Sequence, residues 1–256
     1  MGHTGTLDPF ATGLLVVLVG RATRLARFVD PQPKTYLATA RLGARTDTDD
    51  LTGTVVEESP VEGLSQEQVF AAVTGFEGEQ RQRAPAYSAK HIGGERSHRL
   101  ARRGAAVEPP EATVTVYRIE PIAWVSPELT FRAAVSTGTY LRSIARDLGS
   151  RLGVGAHLTA LRREAIGALR VEDAVALDQV TREALLPAAQ VLGHLPAVEL
   201  EPGAKAAVMH GRPVADGGVA GRRGGGAVAL FEGTELVAVA RAEDGWLKPT
   251  VVLGTA

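Results

Sequence analysis

The sequence predicts an α+β chain that ends in a small all-β unit, and three observations carry that prediction. Over Lys34 to Leu42, Tyr36, Ala38, Ala40 and Leu42 alternate with Thr35, Thr39 and Arg41, the period of a half-buried strand. Leu141, Ile144, Ala145, Leu148 and Leu152 recur at helical spacing, so Tyr140 to Leu152 reads as an amphipathic helix with Arg142, Arg146 and Asp147 on its polar side. Toward the end, three short apolar runs, 227–231, 236–240 and 247–253, are separated by turn residues, the pattern of a small barrel.

The other elements follow in chain order. Gly2, Gly5 and Pro9 make the first ten residues a loop, which leads into Leu14–Val19, an unbroken apolar run that reads as a strand buried on both faces. Ala22, Leu25, Ala26 and Val29 mark a short helix, and Pro31 and Pro33 stop it. Ser65-Gln66-Glu67-Gln68 has the form of a capping box, opening a helix over 66–74 that Gly75 ends. Segments 112–119 and 129–136, rich in Val and Thr, extend the sheet. Short helices are expected over 171–192. Pro196, Pro202 and a glycine cluster at 217–226 then change the texture, which puts a domain boundary near 195. Gly221–Gly226 has no buried strand before it and no helix after it, so it reads as a hairpin turn and not a nucleotide-binding loop.

Composition narrows the function. With 256 residues, 45% of them hydrophobic and 22% charged, the chain can bury a sizeable core. The absence of cysteine excludes disulfides, thiolate metal sites and a thiol nucleophile. The longest apolar run, Leu14–Val19, falls far short of the roughly 20 residues a membrane span needs, and no signal peptide is visible, so a cytoplasmic protein is expected. A net charge of -1 hides a local asymmetry. Residues 81–104 hold Arg81, Arg83, Lys90, Arg96, Arg99, Arg102 and Arg103 against the single acid Glu95, with Tyr87, His91 and His98 interleaved, a composition suited to nucleic-acid phosphates. The acidic run Asp47-Thr48-Asp49-Asp50 is not a calcium loop, because Leu51 and Thr52 stand where a ligand and a glycine are needed. No metal is expected.

Two strings carry candidate chemistry. In Gly2-His3-Thr4-Gly5-Thr6-Leu7-Asp8-Pro9-Phe10-Ala11-Thr12-Gly13-Leu14-Leu15, Asp8 either caps a short helical turn with Pro9 in its first position, or is a nucleophilic carboxylate on a glycine-rich loop that a nucleotide can approach closely. In Ser136-Thr137-Gly138-Thr139-Tyr140-Leu141-Arg142-Ser143-Ile144-Ala145-Arg146-Asp147-Leu148-Gly149, Arg142 falls in the first helical turn. There the helix dipole disfavours a cation by about 0.3 to 1 kcal/mol, so the arginine calls for a carboxylate.

The first string resembles the active-site motif of the TruB family of pseudouridine synthases, and the second resembles that family's GTYIRSLARDLG motif. Lys34-Thr35-Tyr36, Thr46–Gly53, Pro85–Lys90, Gly155–Arg163 and, more weakly, His210–Val214 resemble further segments of the same family. The resemblance implies a pseudouridine synthase fold, with a mixed, largely antiparallel central sheet flanked by helices and a small PUA-type RNA-binding domain after it. Residues 1–195 would be catalytic, with 81–104 gripping RNA, and 196–256 PUA-like. The implied reaction is isomerisation of uridine 55 in the T loop of tRNA, by base flipping and covalent catalysis, without metal or organic cofactor and without an obligate protein partner; the chain would be a monomer.

In the roles the resemblance implies, Asp8 is the nucleophile, Arg142 pairs with it, and Tyr36 stacks on the base and is a candidate acid or base. Tyr140 and Leu161 line the uridine pocket, and His3 takes the room the flipped uridine leaves. Lys34, Lys90 and Arg96 contact RNA. The family carries roughly 30 to 40 residues ahead of its Gly-His-Thr-Gly string, including a strand and a Lys-Pro-x-Gly-x-Thr-Ser motif. Met1 stands where the family commonly has Val, as a GTG codon read as a start would produce, so a missing N-terminal segment is expected. The competing reading is a protein of the same fold that binds or chaperones tRNA without turnover; retention of both Asp8 and Arg142 speaks against it.

Overall fold

In a computed structural model, residues 1–29, 33–88, 90–92, 94–103, 108–217 and 226–253 are described. The alternating segment Lys34–Leu42 (β1) is the central strand of a seven-stranded sheet. Along the chain follow Gln66–Thr74 (α1), Gly78–Arg83 (β2), Glu111–Val125 (β3), Glu128–Val135 (β4), Leu141–Leu152 (α2) and Ala156–Ile166 (β5). The sheet runs from Leu169–Arg170 through β5, β1, β4 and β3 to β2, each neighbour antiparallel. The exception is Thr12–Gly13, which runs parallel to β5 at Arg162 and Arg163. The sheet is mixed and largely antiparallel, as expected.

One face of this sheet makes the core. Ala38, Ala40 and Leu42 of β1, Leu129, Phe131, Ala133 and Val135 of β4, and Leu158 and Leu161 of β5 pack with Val69 and Val73 of α1 and Leu141, Ile144, Ala145 and Leu148 of α2. The other face is polar: the Thr39 and Thr130 hydroxyls bond across the strands, and Arg132 pairs with Glu164. The two periods read from sequence are therefore the two sides of one interface, alternate residues of β1 against the apolar stripe of α2. The Ser65 capping box forms as read: the Ser65 hydroxyl accepts from Gln68 N–H, and the Gln68 amide accepts from Ser65 N–H.

Close approach of α2 to the sheet depends on Gly149. A Cβ there would overlap the backbone of Gly155 and Ala156, where the chain leaves the helix for β5. Gly153 ends the helix in the left-handed conformation, with its N–H on the Gly149 and Ser150 carbonyls.

This sheet and its helices form one compact unit, Leu7–Leu14 with Gln32–Ala174. The second comprises Met1–Thr6, Leu15–Pro31 and Val175–Ala256, so it takes in residues on both sides of position 195 and two early segments as well. Its five-stranded sheet contains the three expected tail strands, Ala227–Glu232, Glu235–Glu243 and Trp246–Val252, flanked by Ala197–Glu199 and Val214–Ala215. Leu200, Val208, Val228, Leu230, Val237 and Leu247 are among its core residues. The expected helix after Val19 is a 3-10 helix, Gly20–Phe28, in which Arg24 donates to Val252 O at 2.8 Å; with Arg21 and Arg27 reaching Leu253 O and Thr250 O, it satisfies the free carbonyls of the last strand. Between 171 and 192 the helices are short 3-10 turns, Val171–Asp173, Leu177–Gln179 and Ala188–Leu192.

The reading of Leu14–Val19 as a doubly buried strand is corrected. Only Val17–Leu18 is strand, paired on one side with Gly2–His3, and Leu15, Val17 and Val19 are exposed while Leu14, Val16 and Leu18 are buried. An apolar run shows what can be buried, but a strand with a neighbour on one side and a covering layer on one face buries every second residue. The segment Gly221–Gly226 read as a hairpin turn lies, except for Gly226, outside the described residues.

Gly149→Ala is expected to destabilise the chain by about 1 to 3 kcal/mol from overpacking, although alanine is the better helix former by about 1 kcal/mol. Urea denaturation with Gly149→Ala compared against an exposed control, Ser150→Ala, reads the sign; a stabilised Gly149→Ala would show that the helix can lift from the sheet at no cost.

Candidate active site

The loop that bears Asp8 is held at its exit by β5. Leu14 N–H donates to Arg163 O at 2.9 Å, and Arg163 Nε donates back to Leu14 O at 2.7 Å. The Arg163 side chain is fully buried, and Gly13, at φ 100°, lies so close that a Cβ would overlap the Arg163 carbonyl. Within the loop, Ala11 N–H donates to Asp8 O, closing a turn with Pro9 at its second position. The Asp8 carboxylate does not cap this turn.

It faces Arg142 instead. Arg142 Nε donates to Asp8 Oδ2 at 3.0 Å and Nη2 to Asp8 Oδ1 at 2.8 Å, a two-point fork. The remaining N–H groups are used as well: Nη1 donates to Thr48 O at 2.9 Å and lies 3.3 Å from Asp50 Oδ2, and Nη2 donates to Tyr87 O at 3.0 Å. A guanidinium has five N–H donors, and here four donate hydrogen bonds while Asp50 adds an ion pair on the Nη1 side. The Arg142 side chain is 4% exposed while that of Asp8 is 26% exposed, so the arginine is sealed and the carboxylate keeps an open side. Position two of α2 is the place where the helix dipole works against a cation, and the carboxylates supply the compensation.

Asp50 is a member of the site that sequence reasoning does not single out. Its Oδ1 accepts from the Thr48 hydroxyl at 2.8 Å, the Thr52 hydroxyl at 2.6 Å and Thr52 N–H at 2.9 Å, which leaves Oδ2 to Arg142. Its neighbour Asp49, in the left-handed region at φ 60°, pairs with Arg146 at 3.2 Å, one helical turn after Arg142. Burial pushes the Asp49 pKa up, and the charges of Arg146 and Arg142 oppose the shift. Leu158 N–H on β5 donates to Asp49 O, pinning this loop to the sheet. Asp47 Oδ1 accepts from Thr54 N–H. The acidic run that could be mistaken for a metal loop is thus a turn that offers two carboxylates to two arginines of α2. The signal available in sequence is the pair Arg142 and Arg146 on one helix face, which needs two acids.

The other expected residues fall as follows. Tyr36 and Leu161 lie on the core face of β1 and β5, where the partly buried Tyr36, Phe10 and Ala11 border the apolar cluster that includes Leu161. Tyr140 is the N-cap residue of α2. Burial pushes its phenol pKa up, against the lowering effects of a hydrogen bond with Ser88 and of the Arg142 charge, so it is a neutral phenol near neutral pH. His3 is exposed on Gly2–His3, in the second compact unit. Lys34 is not displayed as a surface phosphate contact: it is 8% exposed, and its ammonium donates to Thr137 Oγ1 at 2.9 Å. It braces the Ser136–Thr139 turn that leads into α2.

The basic segment is more ordered than a loop, with a small hairpin, His91–Ile92 against Glu95–Arg96, and a helix, Ser97–Arg102. Lys90 is partly exposed; the side chains of Arg96, His91, His98 and Arg102 lie outside the described residues. Arg81 and Arg83 pair with Glu111 and Glu108, just beyond residues 81–104, and Arg103 pairs with Glu95.

Comparison with known proteins places the chain in a family. The family model described as "TruB family pseudouridylate synthase (N terminal domain)" matches residues 1–141, and that of the tRNA pseudouridylate synthase B C-terminal domain matches 142–195. The chain belongs to the TruB family of pseudouridylate synthases. Among its relatives, tRNA pseudouridine synthase B of Syntrophobacter fumaroxidans is 45% identical over 79% of this chain and 69% of the relative. That of Burkholderia lata is 40% identical over 100% of this chain and 82% of its own, and that of Thermobifida fusca 40% over 98% and 88%. Among solved structures, a Cbf5-Nop10-Gar1 complex is similar with a TM-score of 0.71 and 30% identity over 94% of this chain and 69% of that one. An H/ACA RNP bound to a substrate RNA containing 2'-deoxyuridine gives 0.73 and 27% over 99% and 76%. The TruB family fold, a pseudouridine synthase fold of the α+β class, is thereby the fold of this chain.

Two outcomes test the site's electrostatics. Asp50→Ala removes one carboxylate from a sealed guanidinium and is expected to cost about 3 to 5 kcal/mol of stability in urea denaturation; a loss under about 1 kcal/mol would mean that water replaces the carboxylate at no cost. Because the native state holds the Asp49 proton more tightly than the unfolded chain does, the contribution of Asp49 to stability falls as pH rises above the ordinary aspartate range. Asp49→Asn, which tolerates the left-handed backbone, is expected to flatten that limb of melting temperature against pH; an unchanged limb would assign it to another group.

Proposed function

We propose that this TruB-family chain isomerises uridine 55 in the T loop of tRNA to pseudouridine, with Asp8 as the nucleophile. The observation that carries the reading is the Arg142–Asp8 fork: a carboxylate oriented at two points by a sealed arginine and open on its remaining side. A charge pair built only for stability has no need of an open side.

The reaction breaks the N1–C1′ bond, turns the uracil and forms a C5–C1′ bond, while C5 gives up a proton and N1 gains one. Nothing is consumed, so no metal or organic cofactor is required. Asp8 serves either as the nucleophile that takes C1′ while the base turns, or as the base that draws a ribose proton toward a glycal; in both, its orientation by Arg142 precedes the step. The target base must first leave its stack, at a cost of a few kcal/mol that a loop nucleotide lowers. Tyr36 stacks on the flipped base and is a candidate for the proton transfer, Leu161 and the neutral phenol of Tyr140 wall the pocket, and His3 fills the place left in the T loop. Residues 81–104, with Lys90 and Arg96, grip the phosphates, and residues 196–256 act as a PUA-like RNA-binding domain. The expected assembly is a cytoplasmic monomer on the T arm of tRNA.

Asp8→Asn keeps the shape of the side chain and removes the nucleophile. It is expected to abolish pseudouridine at position 55 of a tRNA transcript, a fall of more than about 10⁴-fold, while tRNA binding by filter retention stays within about threefold. Pseudouridine formed at an unchanged rate would remove Asp8 from the chemistry, and wild-type modification at another position alone would overturn the assignment of uridine 55.

A further inference from the structure

We propose that Gln82 is a positioning residue of the active site: its side-chain amide grips the Tyr140 main chain at two points and so sets where the Tyr140 phenol and the Arg142 guanidinium stand at Asp8. The inference rests on the synthase reading for its kinetic consequence and on geometry for the contact.

Gln82 Oε1 accepts from Tyr140 N–H at 2.8 Å, and Gln82 Nε2 donates to Tyr140 O at 3.2 Å. This is an amide-to-peptide clasp between residues 58 apart in sequence, made by a side chain that is 5% exposed. β2 is the last strand of its sheet, and along it Arg81 and Arg83 are exposed while Gln82 points to the buried side. A buried glutamine is costly unless its amide is satisfied, and both ends of this one are spent on a single residue.

That residue is the one whose placement governs the site. Tyr140 is the N-cap of α2 and makes no side-chain cap of its own, so the start of the helix is held from outside, at the N-cap residue itself by Gln82. Arg142 follows two residues later on the same rigid turn. The contacts around the clasp tie the same two stretches together: Arg83 O accepts from Ser143 Oγ at 2.8 Å and from Arg146 Nη2 at 3.0 Å, and Tyr87 O accepts from Arg142 Nη2. Residues 82–87 form the entrance to the basic segment, so Gln82 stands where that segment and the catalytic pair share a support. With its side chain 5% exposed and both ends of its amide on Tyr140, Gln82 acts through Tyr140.

The test uses the full chain with Gln82→Met, which keeps the bulk and loses both hydrogen bonds, and Gln82→Glu. A glutamate accepts from Tyr140 N–H when ionised but donates to Tyr140 O only when protonated. In single-turnover assays Gln82→Met is expected to form pseudouridine about 10- to 100-fold more slowly, with tRNA affinity within about threefold. Gln82→Glu should recover activity as pH falls through the titration of the introduced carboxyl, a limb absent from the wild type. Hydrogen exchange at the Tyr140 amide should be faster in Gln82→Met. A folded Gln82→Met within about twofold of the wild-type rate, a loss wholly of tRNA affinity, or a Gln82→Glu profile parallel to wild type would each overturn the proposal. If Gln82→Met does not fold, the pH dependence within Gln82→Glu decides alone. A wild type that binds tRNA and forms no pseudouridine would instead sink the synthase reading, and the exchange rate at Tyr140 would then decide the clasp by itself.

Discussion

A guanidinium that has left water must find new partners for its N–H groups, and Arg142 does so with four hydrogen bonds and an ion pair to three separate stretches outside its own helix. Asp8 comes from the first loop, Thr48 and Asp50 from the turn after β1, and Tyr87 from the entrance to the basic segment. Desolvating such a group costs several kcal/mol, and the cost is recovered only when all acceptors are in place together. The site is therefore less a set of independent residues than one buried cation with its surroundings built to fit. Divided between two carboxylates, its field orients Asp8 without being spent on Asp8 alone.

Contacts of this kind require backbones placed to within tenths of an ångström, and the sheet supplies that placement. β5 carries three of the constraints. Arg163 holds the exit of the Asp8 loop, Leu158 N–H holds the Asp49 carbonyl, and Leu161 faces the apolar cluster on which α2 lies. α2 itself is seated by the absence of a side chain at Gly149 and by the stripe from Leu141 to Leu148. A helix and a strand that meet this closely move as one body, so Arg142 inherits the rigidity of the core.

How much of this the sequence discloses depends on the range of the interaction. Elements made by local periodicity are legible: β1, α1 with its capping box, α2 and the tail strands all lie within a few residues of where the pattern puts them. Leu14–Val19 misleads, because an apolar run does not say on how many sides it will have neighbours. The Asp8–Arg142 pair can be anticipated from an unfavourably placed cation and from motif resemblance. Asp49 and Asp50 are signalled only indirectly, by two arginines on one face of α2 that need acids, since their own role exists only once α2 is folded across their turn. Lys34 shows the converse: a lysine beside a candidate stacking tyrosine looks like a phosphate contact until the register of β1 turns it toward Thr137.

The same distinction bears on the RNA grip proposed for the basic segment. The arginines of the basic segment that pair with Glu95, Glu108 and Glu111 do so at the surface, where such bridges are worth up to about 1 kcal/mol and are screened by salt. A polyanion can displace those acids at little cost. The bonds that tie the entrance of the segment to α2 are of another kind, because their donors Arg142 and Ser143 are buried and out of reach of a phosphate at the surface. On the proposed function, RNA at this segment would meet ion pairs that salt screens, carried on a support held by buried donors.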